Sequence, residues 1–297
     1  MSETRTRGLG WIPDLPDFRD YTEETAGVRE ILGPTGVLAP RPGPTGRPRL
    51  ASSVDLRAWA SPVEDQGGLG SCTAQAGAGI IEYYERKSFG RHVDASRLFL
   101  YKATRNLMKS KGDSGAYLRT TMAAMVVFGV PPEAYWPYTD DEAGFDREPP
   151  AFCYAFAQSY RTVLYYRHDP AGTTRAAVLE RLKTHLAAGH PAMFGFTVYS
   201  SVDQAEATGR IPLPFGRERI EGGHAVAAMG YDDDKVIANA SGGEPCRGAL
   251  LIRNSWGRGW GENGYGWLPY AYVLKGLAED FWSVLKKDWI DTGEFKI

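Results

Sequence analysis

Three residues in this 297-residue chain suit nucleophilic catalysis by type and surroundings: Cys72, His224 and Asn254. The stretch "QGGLGSCTAQAG", residues 66–77, sets Cys72 behind a glycine-rich run, at what reads as the start of a helix. Such a thiol has two readings. Most unpaired cysteines are small apolar packing residues. A cysteine at a helix N-terminus instead has its pKa lowered by free backbone N–H groups and becomes a nucleophile. The nucleophilic reading needs a base. Of the five histidines, His92 reads as surface, and His168 and His185 lie in polar or amphipathic contexts. His190 falls in a loop between a helix-ending glycine and a proline. His224 differs, because "EGGHAVAAMGY" opens an apolar strand with it, behind two glycines that leave its ring accessible. A structural histidine is the commoner occupant of such a place. Asn254 follows a strand-like run in "LLIRNSWGRGWGENGYGWL" and is flanked by Trp256 and Trp260. Shielded from water there, its amide would strongly orient an imidazole.

The elements that must carry these residues follow from periodicity. From Cys72, "CTAQAGAGIIEYYERKSF" has good helix formers with apolar positions at Ala76, Ile80, Tyr83 and Tyr84, which predicts a helix buried on at least one face. "LRTTMAAMVVFGV" predicts a second helix, ended by Gly129. "TRAAVLERLKTHLAAGHP" predicts a third, with Gly189 as its C-cap. Beyond it, "AMFGFTVYSS", "HAVAAMGYDDD", "KVIANAS", "GALLIRNSW" and "YGWLPYAYV" are short apolar or alternating runs that predict antiparallel strands. Helices first and strands later imply an α+β fold of two halves with a cleft between them. "GPTGVLAPRPGPTGRPR", ending at residue 49, holds five prolines and four glycines and reads as a linker. Residues 1–50 are therefore expected to form an extended leader and linker, and residues 51–297 the compact domain. No internal repeat is visible.

Bulk properties narrow the classes. A hydrophobic content of 43% with 24% charged residues is that of an ordinary globular protein with a sizeable core. A net charge of −2 gives no electrostatic reason to expect nucleic acid or an anionic membrane as partner. No apolar run approaches the roughly 20 residues of a bilayer span, and "MSETRTRGLGW" lacks the apolar core of a secretory signal. Three widely spaced cysteines make neither a disulfide framework nor a zinc site, so no metal or other cofactor is expected. A cytoplasmic location, or export without a cleaved signal, is the resulting expectation.

"PVEDQGGLGSC", "GGHAVAAMGY" and "LIRNSWGRGWGENGYG" together resemble the papain-like cysteine peptidases in order and spacing, with 152 residues from Cys72 to His224 and 30 more to Asn254. The resemblance covers roughly residues 51–285. It implies a two-lobed fold, a helical left lobe and a β-barrel-like right lobe with the site in the cleft. It implies Cys72 as nucleophile, His224 as general acid/base, Asn254 as the residue orienting the histidine, and Gln66 as a side-chain donor of the oxyanion hole. "GDSGAYLRTTMAAMVVFGVPPEAYWPY" resembles the family's non-primed cleft wall, which places Ser114 and Gly115 at substrate backbone. Gly223, Ala225 and Trp256 are the remaining substrate-side positions, with Trp256 shielding the Asn–His hydrogen bond and Ala225 leaving one wall of the S2 pocket open. "IPLPFGRERIEGG" reads as a loop at the cleft rim.

The departures from the family pattern are local. Leu69 stands where a disulfide cysteine is usual, Thr73 where an aromatic is usual and Gly223 where an acid is common. Cys153 and Cys246 are read as free thiols. The leader "GLGWIPDLPDFRDY" is similar to that of bacterial papain-like peptidases. Trp11, Ile12 and Leu15 are expected to dock on the domain, so that residues 1–50 either contact the cleft or pack on the back. The expected partner is a polypeptide substrate. Two other functions stay open: a Cys–His acyltransferase or amidase, and a non-catalytic binding protein on the same fold.

Overall fold

The computed structural model describes residues 7–38, 50–161 and 164–290. Most of the expected linker, residues 39–49, lies outside the described residues. Its first part departs from the expectation, because Gly33–Thr35 form a turn of 3₁₀ helix with Pro34 at its start, after helix α1 (Ala26–Leu32). Proline is tolerated there since the first turn needs no N–H donor.

Strand β1 (Ser53–Asp55) leads into the helical lobe, made of α2 (Cys72–Phe89), α3 (Arg97–Met108), α4 (Leu118–Val127) and α5 (Ala151–Ala157). Helix α2 is buried on all sides from Cys72 to Tyr84, not along one stripe. Its small residues permit this. A Cβ on Gly77 would come within 3.0 Å of Met125 Sδ, and one on Gly79 within 2.7 Å of Arg253 Nε. Gly90, at φ 71°, ends the helix in the left-handed conformation. Helix α3 is not among the expected helices. Ser96 caps it by accepting a hydrogen bond from the Phe99 N–H. Helix α4 stops at Val127, two residues before the expected Gly129.

The second lobe is a seven-stranded antiparallel sheet of β1, β2 (Leu164–Arg167), β3 (Ala192–Tyr199), β4 (Ile220–Ile237), β5 (Cys246–Arg253), β6 (Tyr265–Pro269) and β7 (Ala278–Leu285). The order is β2-β7-β3-β4-β5-β6, with β1 paired to β4. Helices α6 (Arg175–Ala187), α7 (Tyr270–Lys275) and α8 (Lys287–Ile290) are the other α-helices among the described residues. Two expected strands, "HAVAAMGYDDD" and "KVIANAS", form the single strand β4, whose pairing to β5 slips between Asp232 and Val236. This strand begins at Ile220, so the last four residues of the expected rim loop are strand. "YGWLPYAYV" divides at Pro269, where β6 gives way to α7. The unheralded strand β7 holds Asp280 at φ 66°.

A polar seam joins the lobes. Glu82 on α2 accepts hydrogen bonds from Ser61 Oγ and the Ala95 N–H. Arg253, ending β5, donates to the carbonyls of Ser61 and Pro62 and to Ser61 Oγ. Burial raises the Glu82 pKa, and the Arg253 charge opposes that rise. Removing the cation leaves a buried acid without its counter-charge, so Arg253→Met should lower the unfolding free energy by about 3 kcal/mol. A urea titration checks this, and an unchanged midpoint would contradict it.

Candidate active site

Cys72 is the first residue of α2, and its side chain is fully buried. The N–H groups of Cys72 and Thr73 are among the donors a helix start leaves without intrahelical partners. Both face the sulfur, as do those of Ala225 and Gly10. All four favour thiolate. Burial outweighs them and pushes the thiol pKa up to about 11. Ala225 follows His224 on β4, so the strand that carries the histidine also touches the sulfur.

His224 lies within β4, paired across to Phe196, and is fully buried. Its Nε2 is 2.8 Å from Asn254 Oδ1, which also accepts the Ser255 N–H at 2.8 Å. An oxygen that accepts that backbone N–H is an acceptor toward the ring as well, so Nε2 carries the proton and Nδ1 keeps its lone pair. The Trp256 ring stacks on the imidazole at 4.5 Å and 24°, with Trp260 edge-on to Trp256 at 5.3 Å. Burial lowers the His224 pKa to about 4 against the opposing Asn254 bond, and Arg7 lowers it further.

Gln66 is held on the same support. Its N–H donates to Ser255 O at 2.8 Å, the Gly257 N–H donates to Glu64 O at 3.1 Å, and Asp65 bridges Trp256. Its Oε1 accepts from Ser255 Oγ, while Nε2 donates to Leu69 O at 2.7 Å and Gly8 O at 3.0 Å. Asp113 steadies the glycine loop before Cys72, accepting the Gly70 N–H at 3.0 Å and the Tyr101 hydroxyl at 2.6 Å.

Gly8 belongs to the leader, and residues 7–12 run through the cleft. The Gly8 N–H donates to Gly67 O, Trp11 N–H to Gly223 O, Ile12 N–H to Ala116 O, and Ala116 N–H to Gly10 O. Close passage requires the glycines. A Cβ on Gly8 would lie 2.1 Å from Leu69 O, and one on Gly10 1.9 Å from Gly70 O. Arg7 lies over the Trp256 ring at 4.9 Å and pairs with Asp203 and Glu206. Trp11 is buried, Ile12 is half-buried, and Leu15, 84% exposed, does not dock as expected but points to solvent. Polar clamps hold this stretch instead: Arg119 binds Asp14 and Asp20, and Arg181 binds Glu23.

The residues predicted at substrate backbone divide. Gly223 and Ala225 contact the leader and the sulfur respectively. Ser114 and Gly115 contribute no backbone hydrogen bond to the leader; Gly115 donates to the Tyr101 hydroxyl, and the neighbouring Ala116 makes the pairing. Gly115 still must be small, because its Cβ would come within 2.4 Å of Gly10 O. Sequence reasoning missed Ala116, Asp113 and Asp280; for Asp280 the signal was an acid inside the apolar run "LAEDFWSVL".

Residues 50–278 match the papain family cysteine protease model. The chain belongs to the papain family of cysteine proteases. It is a thiol protease of the hydrolase class with the papain-like two-lobed fold. An uncharacterised peptidase C1-like protein of Acanthamoeba polyphaga mimivirus is 35% identical over 95% of this chain and 88% of its own length. Xylellain, a cysteine protease from Xylella fastidiosa, superposes with a TM-score of 0.72 at 33% identity, covering 96% of this chain and 98% of that one. Cathepsin K of Mus musculus is 27% identical over 84% of this chain and 65% of its own length.

In this thiol protease all three cysteines are free, Cys153 and Cys246 included. Among the described residues no helix is long and apolar enough to cross a membrane, and no cluster of His, Cys, Asp or Glu is placed to hold a metal ion. Of the remaining histidines, three are buried away from solvent. His168 and His185 are buried edge-to-face at 4.6 Å, His190 is buried beside Tyr84, and His92 pairs with Asp94 at the surface.

Because burial is the largest influence on the Cys72 thiol, lifting the leader should lower its pKa. Alkylation by iodoacetamide across a pH series should show a midpoint near 11 in the full chain. Gly10→Val should move that midpoint down and speed labelling at neutral pH. Identical pH profiles for the two chains would contradict this.

Proposed function

We propose that this papain-family protease hydrolyses peptide bonds through a Cys72 thiolate, with His224 as acid and base, Asn254 orienting His224, and Gln66 in the oxyanion hole. The observation that carries this reading is the His224–Asn254 bond at 2.8 Å on the strand whose next residue, Ala225, touches the Cys72 sulfur. In the uncovered cleft His224 Nδ1 takes the Cys72 proton, giving a thiolate and imidazolium that titrate as a pair. Thiolate adds to the scissile carbonyl, and the oxyanion takes hydrogen bonds from Gln66 Nε2 and the Cys72 N–H. Collapse breaks the C–N bond as imidazolium protonates the leaving amine. The resulting thioester is hydrolysed by water that gives its proton to His224, which restores the thiol and releases the acid. Family membership favours hydrolysis over the acyltransferase and non-catalytic readings.

In this reading residues 51–297 form the peptidase domain and residues 1–50 a tethered leader that keeps it inactive. The leader acts twice. Its backbone fills the place of substrate, and its burial of Cys72 and His224 drives both toward neutral forms. Tethering raises its local concentration to the millimolar range, so modest contacts suffice.

Cleavage of fluorogenic peptides should vanish in Cys72→Ala. Activity surviving that change would place the chemistry elsewhere. Gln66→Ala should lower kcat about 10²–10³-fold with KM little altered. Gly10→Val should raise kcat/KM above that of the unaltered chain. Equal or lower activity, with the leader shown to be displaced, would remove the inhibitory role.

A further inference from the structure

Helix α2 starts without the side-chain cap that its sequence offers. Ser71 stands at the N-cap, and its carbonyl accepts the Ala74 and Gln75 N–H groups at 3.0 and 3.1 Å. A serine in that place ordinarily also accepts a first-turn N–H through its hydroxyl. Ser96 and Thr174 do so in this chain, taking the Phe99 and Ala177 N–H groups. Ser71 makes no such bond. Its buried hydroxyl lies 2.7 Å from the Tyr138 hydroxyl instead.

Tyr138 thereby reaches both ends of the glycine-rich run. Its hydroxyl donates to Gln66 O at 2.9 Å, which leaves Ser71 as the donor in the other bond. Acids hold the middle of the run, Asp140 at the Gly68 N–H and Asp113 at the Gly70 N–H. Tyr138 is itself fixed from behind. Arg97 lies over its ring at 4.6 Å, and Glu133 accepts the Tyr138 N–H at 3.1 Å while pairing with Arg97. Burial raises the Tyr138 pKa to about 12, so the donor proton is present at neutral pH.

The consequence falls on Cys72. Thr73 is the second residue of α2, and its N–H is one that an N-cap hydroxyl is placed to take. Here the Thr73 and Cys72 N–H groups face the sulfur. Resting on the protease reading, in which a thiolate uses those donors, we propose that Tyr138 is a positioning residue for the nucleophile and the oxyanion loop. By holding the Ser71 hydroxyl it keeps the helix start uncapped, so that the first-turn N–H groups serve the sulfur. By holding Gln66 O it fixes the residue whose side chain serves the oxyanion.

The test uses full-length chains that all carry Gly10→Val to lift the leader, with alkylation of Cys72 by iodoacetamide followed by mass spectrometry across a pH series. Tyr138→Phe should raise the alkylation midpoint by about one pH unit, because the freed Ser71 hydroxyl takes the Thr73 N–H from the thiolate. It should also lower kcat about tenfold with KM little altered. Adding Ser71→Ala should return the midpoint to that of the parent chain, since no hydroxyl remains to cap. A residue that merely packs gives no such rescue, because a second deletion beside the first would leave the midpoint raised. An unmoved midpoint in Tyr138→Phe, or no return in the double variant, would overturn the proposal. Ser71→Ala alone decides the matter if Tyr138→Phe fails to fold. Its midpoint should match the parent's, and a clear shift would show that the hydroxyl already engages the helix start. Midpoints that behave as expected, with no cleavage of any peptide, would overturn the hydrolase and leave the role of Tyr138 at the sulfur standing.

Discussion

Water exclusion from one sulfur and one imidazole governs this molecule. Cys72 and His224 are both fully buried, and that burial moves their pKa values apart, to about 11 and about 4. A thiol and an imidazole so placed exchange no proton near neutral pH. The four N–H groups around the sulfur and the Asn254 bond to the ring act in the opposite sense, toward the charged pair. The structure thus holds an arrangement built to favour ions under a cover that forbids them. The cover is six residues of the chain's own backbone, and it fits because two of them are glycine.

The cover is held by contacts of different kinds. Trp11 contributes burial, worth about 3 kcal/mol for a large apolar side chain. Backbone pairing with Gly67, Ala116 and Gly223 satisfies the leader's polar groups inside the cleft. Farther along, Arg119 and Arg181 hold Asp14, Asp20 and Glu23. The aromatic residues Trp256 and Trp260 seal the other end, where Arg7 lies over Trp256. For the inhibitory role proposed above, the sum of these contacts needs only to exceed what a competing peptide gains without a tether.

Sequence reading singled out candidate residues whose surroundings are local. Cys72 stands at a glycine-to-helix boundary, and Asn254 stands between a strand and two tryptophans, so each is marked within a dozen residues. The helix at Cys72 matched its expected bounds for the same reason, as its small residues form one uninterrupted run. Residues defined by distant packing escaped. Ala116 matters because it faces Gly10 across the cleft, and Asp280 because β3 and β7 bring Gly195 and the acid to the Trp11 ring. Leu15 misled because hydrophobicity says that a residue prefers burial, while this stretch is held by the ion pairs of Asp14, Asp20 and Glu23 and leaves Leu15 exposed. The merging of two expected strands into β4 has a similar origin, since the Asp-rich turn signal at residues 232–234 marks a slip in pairing and not a chain reversal.

Amide hydrogen exchange at Gly8, Trp11 and Ile12 tests most directly whether leader and substrate compete for one place. These amides donate to cleft carbonyls in the free chain and should be protected there. Covalent capture of Cys72 by an epoxysuccinyl peptide should strip that protection from all three while leaving the exchange of α2 and β4 unchanged. Protection that persists at all three amides after complete capture would mean that the leader does not occupy the substrate's path.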